Sequence, residues 1–283
     1  MSGFSESAHP RQPAGSENGG EFAPKYVAGV SGYSEPKARF GFEDGENSDL
    51  SDHEIRTITK KYLGKSLGEK DLYEIAGILP GSKIKHLLIS KDTRLNEMEI
   101  EISSKVIRPA RPNPKSPSDL GGDEAGFQTR TIDLKNKIIK NDNFFLDPDQ
   151  QSQGLALKAL TMQVRAARAA GFNFIMTKAA GQGPGESIRD QRAEGIKNPR
   201  PPRESNPTAG YYVWPRLGFV PAASGGTVGA AGKSNINLTK LMMTKQGRDW
   251  WKMHGTSNTL KFDLADGSIS RRVLDAYAKE KGV

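Results

Sequence analysis

Residues 151–156 read Gln-Ser-Gln-Gly-Leu-Ala. They follow an apolar run that closes with Leu146-Asp147-Pro148, and they lead into an alanine- and leucine-rich stretch. A strand that turns at once into a helix leaves the helix's first N–H groups without partners. With the helix dipole, those groups can bind a pyrophosphate. Gly154 would let a phosphate approach the backbone, and the small Ala156 keeps the first turn open. Gln151 can donate to phosphate oxygens without adding charge. The same residues also fit an ordinary strand-to-helix turn, and the pattern alone does not choose between the two.

Other stretches offer rival chemistry. Residues 227–234, Thr-Val-Gly-Ala-Ala-Gly-Lys-Ser, are one substitution from a phosphate-binding Walker A loop. Thr227 stands where the first glycine belongs, and no apolar strand leads in. Residues 181–186, Gly-Gln-Gly-Pro-Gly-Glu, resemble a dinucleotide fingerprint, but Glu186 would repel a pyrophosphate. His9, His53, His86 and His254 are scattered without ligand spacing, and there is no cysteine. Metal chemistry, thiolate chemistry and disulfides are therefore not expected.

Charge is uneven along the 283 residues. Residues 1–50 hold four basic and eight acidic side chains, whereas the remaining chain carries a net +12. A basic body suits a phosphate-bearing partner, a nucleic acid or a cofactor, and equally suits a solubilising surface. Arg189, Arg192, Lys197, Arg200 and Arg203 form a basic run that has the same two readings. No apolar run approaches the ~20 residues needed to span a membrane, and the first residues lack a signal peptide's apolar core. The chain reads as soluble and cytoplasmic.

The elements that must position the corner follow from periodicity. Residues 1–50 are rich in Ser, Gly, Glu and Pro and read as a disordered acidic tail. Ile55, Ile58 and Tyr62 share a helix face between a Ser51 or Asp52 cap and Gly64, and Leu72, Ile75 and Leu79 repeat the pattern. Strands are expected over 83–90, 97–106, 127–134 and 137–147, with a Pro/Gly loop at 108–126 and a tight turn at Lys135-Asn136. A helix over 153–170 carries Leu157, Leu160, Val164 and Ala167 on one face and stops at Gly171. A buried strand over 172–180 follows, then a long basic loop over 181–210 and a compact aromatic stretch over 211–220. Residues 221–283 suggest helical pieces, a strand at "TLKFDL" and a final helix, and are expected to pack on the domain as an extension. The fold class is α/β, a mixed sheet flanked by helices.

This order, with the Gln151–Ala156 corner, the Leu146-Asp147-Pro148 exit and Arg216-Leu217-Gly218-Phe219, resembles the GNAT superfamily of acyl-CoA-dependent N-acyltransferases. The resemblance covers roughly 84–220, within a domain over 51–220. It implies acetyl-CoA as cofactor and an amine as acceptor. It implies that Gln151, Ser152, Gln153, Gly154, Leu155 and Ala156 hold the pyrophosphate, and that the backbone of Phe145 and Leu146 holds the pantetheine arm. The family often protonates the leaving thiolate with a tyrosine four residues before the glycine of Leu-Gly-Phe. Trp214 occupies that position and has no acidic proton, so Tyr211 and Tyr212 become the candidates. Asp133 is a candidate base. The ending, with Trp250-Trp251, Phe262-Asp263-Leu264 and Ser268-Ile269-Ser270, resembles phage-associated proteins that carry this domain. That opens a second function: a structural, virion-associated protein on the same fold with chemistry reduced or lost.

Overall fold

A computed structural model describes residues 51–79, 81–92, 97–108, 122–147, 150, 154–198, 200, 210–223, 227–230 and 232–282. The acidic tail expected over 1–50 lies outside them.

Two short helices come first, α1 (Asp52–Leu63) and α2 (Glu69–Ala76). Ser51 and Glu54 form a reciprocal capping box on α1, and Gly64 ends it in the left-handed region. Four strands follow: β1 (Lys83–Asp92), β2 (Glu97–Ile107), β3 (Glu124–Asp133) and β4 (Ile138–Leu146). Each pairs antiparallel with the next. Then come α3 (Leu155–Ala170) and β5 (Phe174–Ala179), which lies parallel to β4. A strand returning parallel to its predecessor needs a crossover, and α3 supplies it.

After β5 the chain forms α4 (Pro184–Ala193), α5 (Gly210–Arg216) and β6 (Val220–Pro221). A two-stranded hairpin, β7 (Thr227–Ala230) with β8 (Lys233–Asn237), precedes α6 (Leu238–Met242) and α7 (Lys245–His254). β9 (Asn258–Asp263) and α8 (Ile269–Lys281) complete the described chain. The main sheet is mixed and seven-stranded, in the order β1-β2-β3-β4-β5-β9-β6. Residues 221–283, read from sequence as an extension, thus place β9 between β5 and β6.

The alternation of the strands sets the two faces. Ile100 and Ile102 of β2, Ile132 of β3, Ile139 of β4, Ile175 of β5 and Phe262 of β9 share one core with Ile55, Leu72, Leu160 and Leu274 of the helices. The opposite face of β1–β4 is a polar ladder. His86 Nε2 lies 2.9 Å from Glu101, Lys140 pairs with Glu99, and Thr131 donates to Asp142 at 2.8 Å. Such half-exposed pairs contribute at most about 1 kcal/mol each.

Three expectations change. The 181–210 stretch, expected as a loop, contains α4: Pro184 sits at its first position, where the missing N–H costs nothing. The Walker-like residues form the β7–β8 hairpin, with no helix directly after Lys233 and so no cradle for a phosphate. The tight turn at Lys135-Asn136 is a four-residue turn over 134–137, held by the Asp133 carboxylate, which accepts from the Asn136 N–H at 2.9 Å and its side-chain amide at 2.8 Å. Among the described residues no helix is long and apolar enough to cross a membrane.

Candidate functional site

The central feature is a place where two paired strands part. β4 and β5 pair from Ile138–Phe174 to Asn141–Thr177 and then stop. β3 shows why. Its Arg130 lies opposite Asn141 while Thr129 lies opposite Asn143, so Asp142 is an extra residue in β4. One extra residue bends a strand and increases its twist. Beyond the bulge, β4 runs on to Leu146 with β3 as its partner, while β5 runs on to Ala179 paired with β9. The two facing edges open into a cleft.

The last shared rung is pinned. Thr177 Oγ1 donates to the Asn141 carbonyl at 3.0 Å. The side-chain amides of Asn141 and Gln163 exchange two hydrogen bonds of 3.0 and 2.9 Å in the interior. That exchange ties β4 to α3, where a single buried, unpaired amide would cost roughly 1–3 kcal/mol.

Arg130 sits under the bulge and is fully buried. Its guanidinium donates to the carbonyls of Ala76 at 3.2 Å, Thr129 at 2.9 Å and Asn143, and it lies 5.6 Å from the Phe144 ring centre. Burial pushes its pKa down to about 10, so it stays charged at neutral pH. It therefore holds α2, β3 and the opened part of β4 together through carbonyl oxygens. Phe144 meets Trp214 at 6.4 Å, Trp214 meets Phe219 edge-on at 5.1 Å, and Phe219 meets Phe262 at 5.4 Å. Gln128, opposite Phe144 in register, is fully buried and neither of its side-chain polar atoms has a hydrogen-bond partner. Phe145 points the other way and stacks on Phe127 at 5.7 Å. Leu146 sinks among Leu79, Val106 and Ala159.

The corner follows. Asp147 donates its N–H to the Ala125 carbonyl at 2.9 Å and pairs with Arg108 at 3.2 Å. Gln151, Ser152 and Gln153, three of the expected phosphate ligands, lie outside the described residues. Gly154 is the N-cap of α3 with φ +74°, a conformation that favours glycine. A Cβ there would meet nothing within 4 Å. Leu155 and Ala156 open the helix, and no acidic residue lies in its first turn. By contrast α1, α6, α7 and α8 begin with capping side chains, and α4 begins with Pro184 and Glu186. The N-terminal N–H groups of α3 thus meet neither a side chain from the cap position nor a carboxylate from the first turn. They are suited to an anion.

The tyrosines divide. Tyr211 is buried, and its hydroxyl donates to the Lys252 carbonyl at 2.8 Å. Burial, reinforced by Tyr212, raises its pKa above the ordinary phenol value. Its own carbonyl accepts from Trp251 Nε1 at 2.8 Å. Tyr212 is half-buried, with Arg216 5.3 Å and Lys252 5.9 Å from its ring centre. α5 starts beside the cleft because the Tyr211 N–H donates to Ala180 O at 2.9 Å, just beyond β5. Asp133 is committed to its turn. The carboxylate at the bulge is Asp142, which the sequence reading did not single out. Desolvation by its neighbours raises its pKa even though the residue is exposed, with the Thr131 hydroxyl and the Arg130 and Lys140 charges opposing. Arg130 and Gln128 were also not singled out, although both are in phase with buried Ile132 along β3. The glycines of the 181–186 stretch have a packing role: a Cβ at Gly183 would lie 2.2 Å from Met253 O, and one at Gly185 2.8 Å from His254. No group of side chains suited to a metal ion occurs among the described residues.

No protein-family model and no curated protein matches the chain. Two solved structures are similar at low identity. Nourseothricin acetyltransferase is 10% identical, with 70% of this chain and 96% of that one covered and a TM-score of 0.28. The putative acetyltransferase yncA from Salmonella typhimurium, solved with acetyl-CoA, is 12% identical, with 77% and 93% covered and a TM-score of 0.25. At such scores the likeness decides nothing about this chain. The class rests on its own strands, a mixed α/β sheet with a bulged fourth strand parting from a parallel fifth.

Proposed function

We propose that this protein is an acyl-CoA-dependent N-acyltransferase that moves an acetyl group from acetyl-CoA to an amine. The observation that carries the reading is the opened β4 edge beside an α3 N-terminus without a capping side chain. Acetyl-CoA would supply an activated thioester, and CoA would leave as the free thiol. The backbone of Phe145 and Leu146 offers strand-edge hydrogen bonds to a pantetheine arm. The N–H groups of Gly154, Leu155 and Ala156, with Gln151, Ser152 and Gln153, hold the pyrophosphate. Asp142, with its pKa raised, takes the proton that the attacking amine loses. Tyr212, rather than the committed Tyr211, gives a proton to the departing sulfur.

A second reading keeps the fold and drops the chemistry. It is favoured by Trp214 in the family's tyrosine position and by the Tyr211 hydroxyl donating to Lys252. Calorimetric titration with acetyl-CoA separates the two. The enzyme reading expects binding, weakened at least about tenfold by Gly154→Val, or ~1.4 kcal/mol. Gln151→Ala, which removes one hydrogen-bond donor, should weaken it less at an unchanged melting temperature. An absence of binding at millimolar acetyl-CoA sinks the enzyme reading. Binding without release of free thiol across an amine panel supports the silent one.

A further inference from the structure

A second hollow lies away from the corner, between α5, α6 and α8. Its volume is about 200 Å³, and its walls include Phe219, Met242, Ile269 and Val273. A dry cavity of about 150 Å³ takes a benzene-sized guest, so this one has room for a ring or a branched chain and little more. Its lining includes two cations, Arg216 and Arg248, and no Asp or Glu. Arg248 donates to the Met242 carbonyl at 3.1 Å. Arg216 is different. Its guanidinium lies 5.3 Å from the ring centre of Tyr212 and 5.3 Å from that of Tyr277, and no carboxylate among the described residues pairs with it. Aromatic rings hold a guanidinium by its faces and leave its N–H edge to form paired hydrogen bonds with a carboxylate. Pro215 and Gly218 bracket this arginine, and the Gly218 backbone packs so closely on α8 that a Cβ would lie 2.3 Å from Ser270 O. The arginine is thus presented from a fixed corner.

We propose that this hollow binds a small apolar monocarboxylate, with the body of the ligand among Phe219, Met242 and Val273 and its carboxylate on Arg216. The site stands apart from the acyltransferase chemistry except through Tyr212, whose ring flanks Arg216. It shares no lining residue with the β4–β5 cleft or the α3 N-terminus.

Phenylacetate is the probe, titrated calorimetrically into the full-length protein. The expected result is one site per chain with a dissociation constant below about 1 mM, near −4 kcal/mol. Phenylacetamide, the same shape without the charge, should bind at least tenfold more weakly. Arg216→Met should weaken phenylacetate at least tenfold, and Arg216→Lys should fall between, since it keeps the charge but loses the planar fork. Val273→Trp should fill the hollow and abolish binding, with the melting curve confirming a folded protein. Should that variant not fold, Ala276→Leu reduces the same space from the same helix with a smaller side chain. No heat with phenylacetate at 10 mM overturns the proposal. So does equal binding of the amide, equal binding by Arg216→Met, or unchanged binding by both folded space-filling variants. Unchanged acetyl-CoA binding in Val273→Trp keeps this outcome separate from the fate of the cleft.

Discussion

The two halves of the sheet are assembled differently. β1–β4 are 10, 11, 10 and 9 residues long, and each pairs with its neighbour in sequence. β5, β9 and β6 are 6, 6 and 2 residues long, and their spatial order is not their chain order. The first half is dictated by alternation and turns. The second is dictated by which distant segment can cover β5. The cleft lies where the halves meet, at the parallel β4–β5 pair, and it opens because the bulge belongs to the first half while β5 follows the second.

Removing β9 should have the largest effect. A chain ending at residue 256 leaves β5 and β6 without their shared neighbour and loses Leu260, Phe262 and Leu264, all nearly inaccessible to water. We expect no cooperative thermal transition in circular dichroism. A cooperative transition would show that β1–β5 stands alone. Arg130→Met comes next, because it strands three carbonyls beneath the bulge. We expect a loss of about 2–4 kcal/mol in urea unfolding, and a loss under 1 kcal/mol would remove Arg130 from its role at the seam.

Gln163→Leu leaves the Asn141 amide buried and unpaired, for about 1–3 kcal/mol. Adding Asn141→Leu should recover part of that loss, and strict additivity of the two would argue against a coupled pair. Gly154→Ala meets no atoms but must hold φ +74°, at a cost of about 1 kcal/mol.

Asp142→Asn should be the smallest and is read through pH. Desolvation by its neighbours raises the folded-state pKa of Asp142, an exposed residue, above its unfolded value. The folded chain therefore holds this proton more tightly, and stability falls as pH rises from about 3.9 through the raised folded value. The variant should melt slightly higher than the parent at pH 7 and the same at pH 3. A gain that persists at pH 3 would assign the effect to something other than ionisation.

Legibility followed the same seam. β1–β4 and α3 were readable because Ile100-x-Ile102 alternation and the Leu157–Leu160–Val164 stripe are local patterns. The end of α3 was marked by Gly171, which is left-handed in the structure as its position required. α4 was not readable: it is polar, with two arginines against two carboxylates, and much of its support comes from docking on α7 through Gly183 and Gly185. "TLKFDL" was visible as a strand, but nothing in six residues names β5 and β6 as its partners. The bulge at Asp142 has no composition of its own, since it exists only as a mismatch with β3. Arg130 was hidden by its type, because charge in a strand suggests solvent, although Ile132 two residues on already fixed its face. The direction of the Tyr211 hydroxyl depends on a carbonyl forty-one residues away.

The place of β9 also bears on how the chain is made. Strands β1–β4 can pair as they leave the ribosome, each finding a partner already present. β5 ends at Ala179, yet the strand that covers its far edge is not complete until Asp263. At roughly 5–20 residues per second of synthesis, that edge waits several seconds. During that interval it is an unpaired apolar strand edge, the kind of surface to which other nascent chains adhere. Slow elongation between residues 180 and 263 should therefore lower soluble yield, while the same slowing before residue 146 should not.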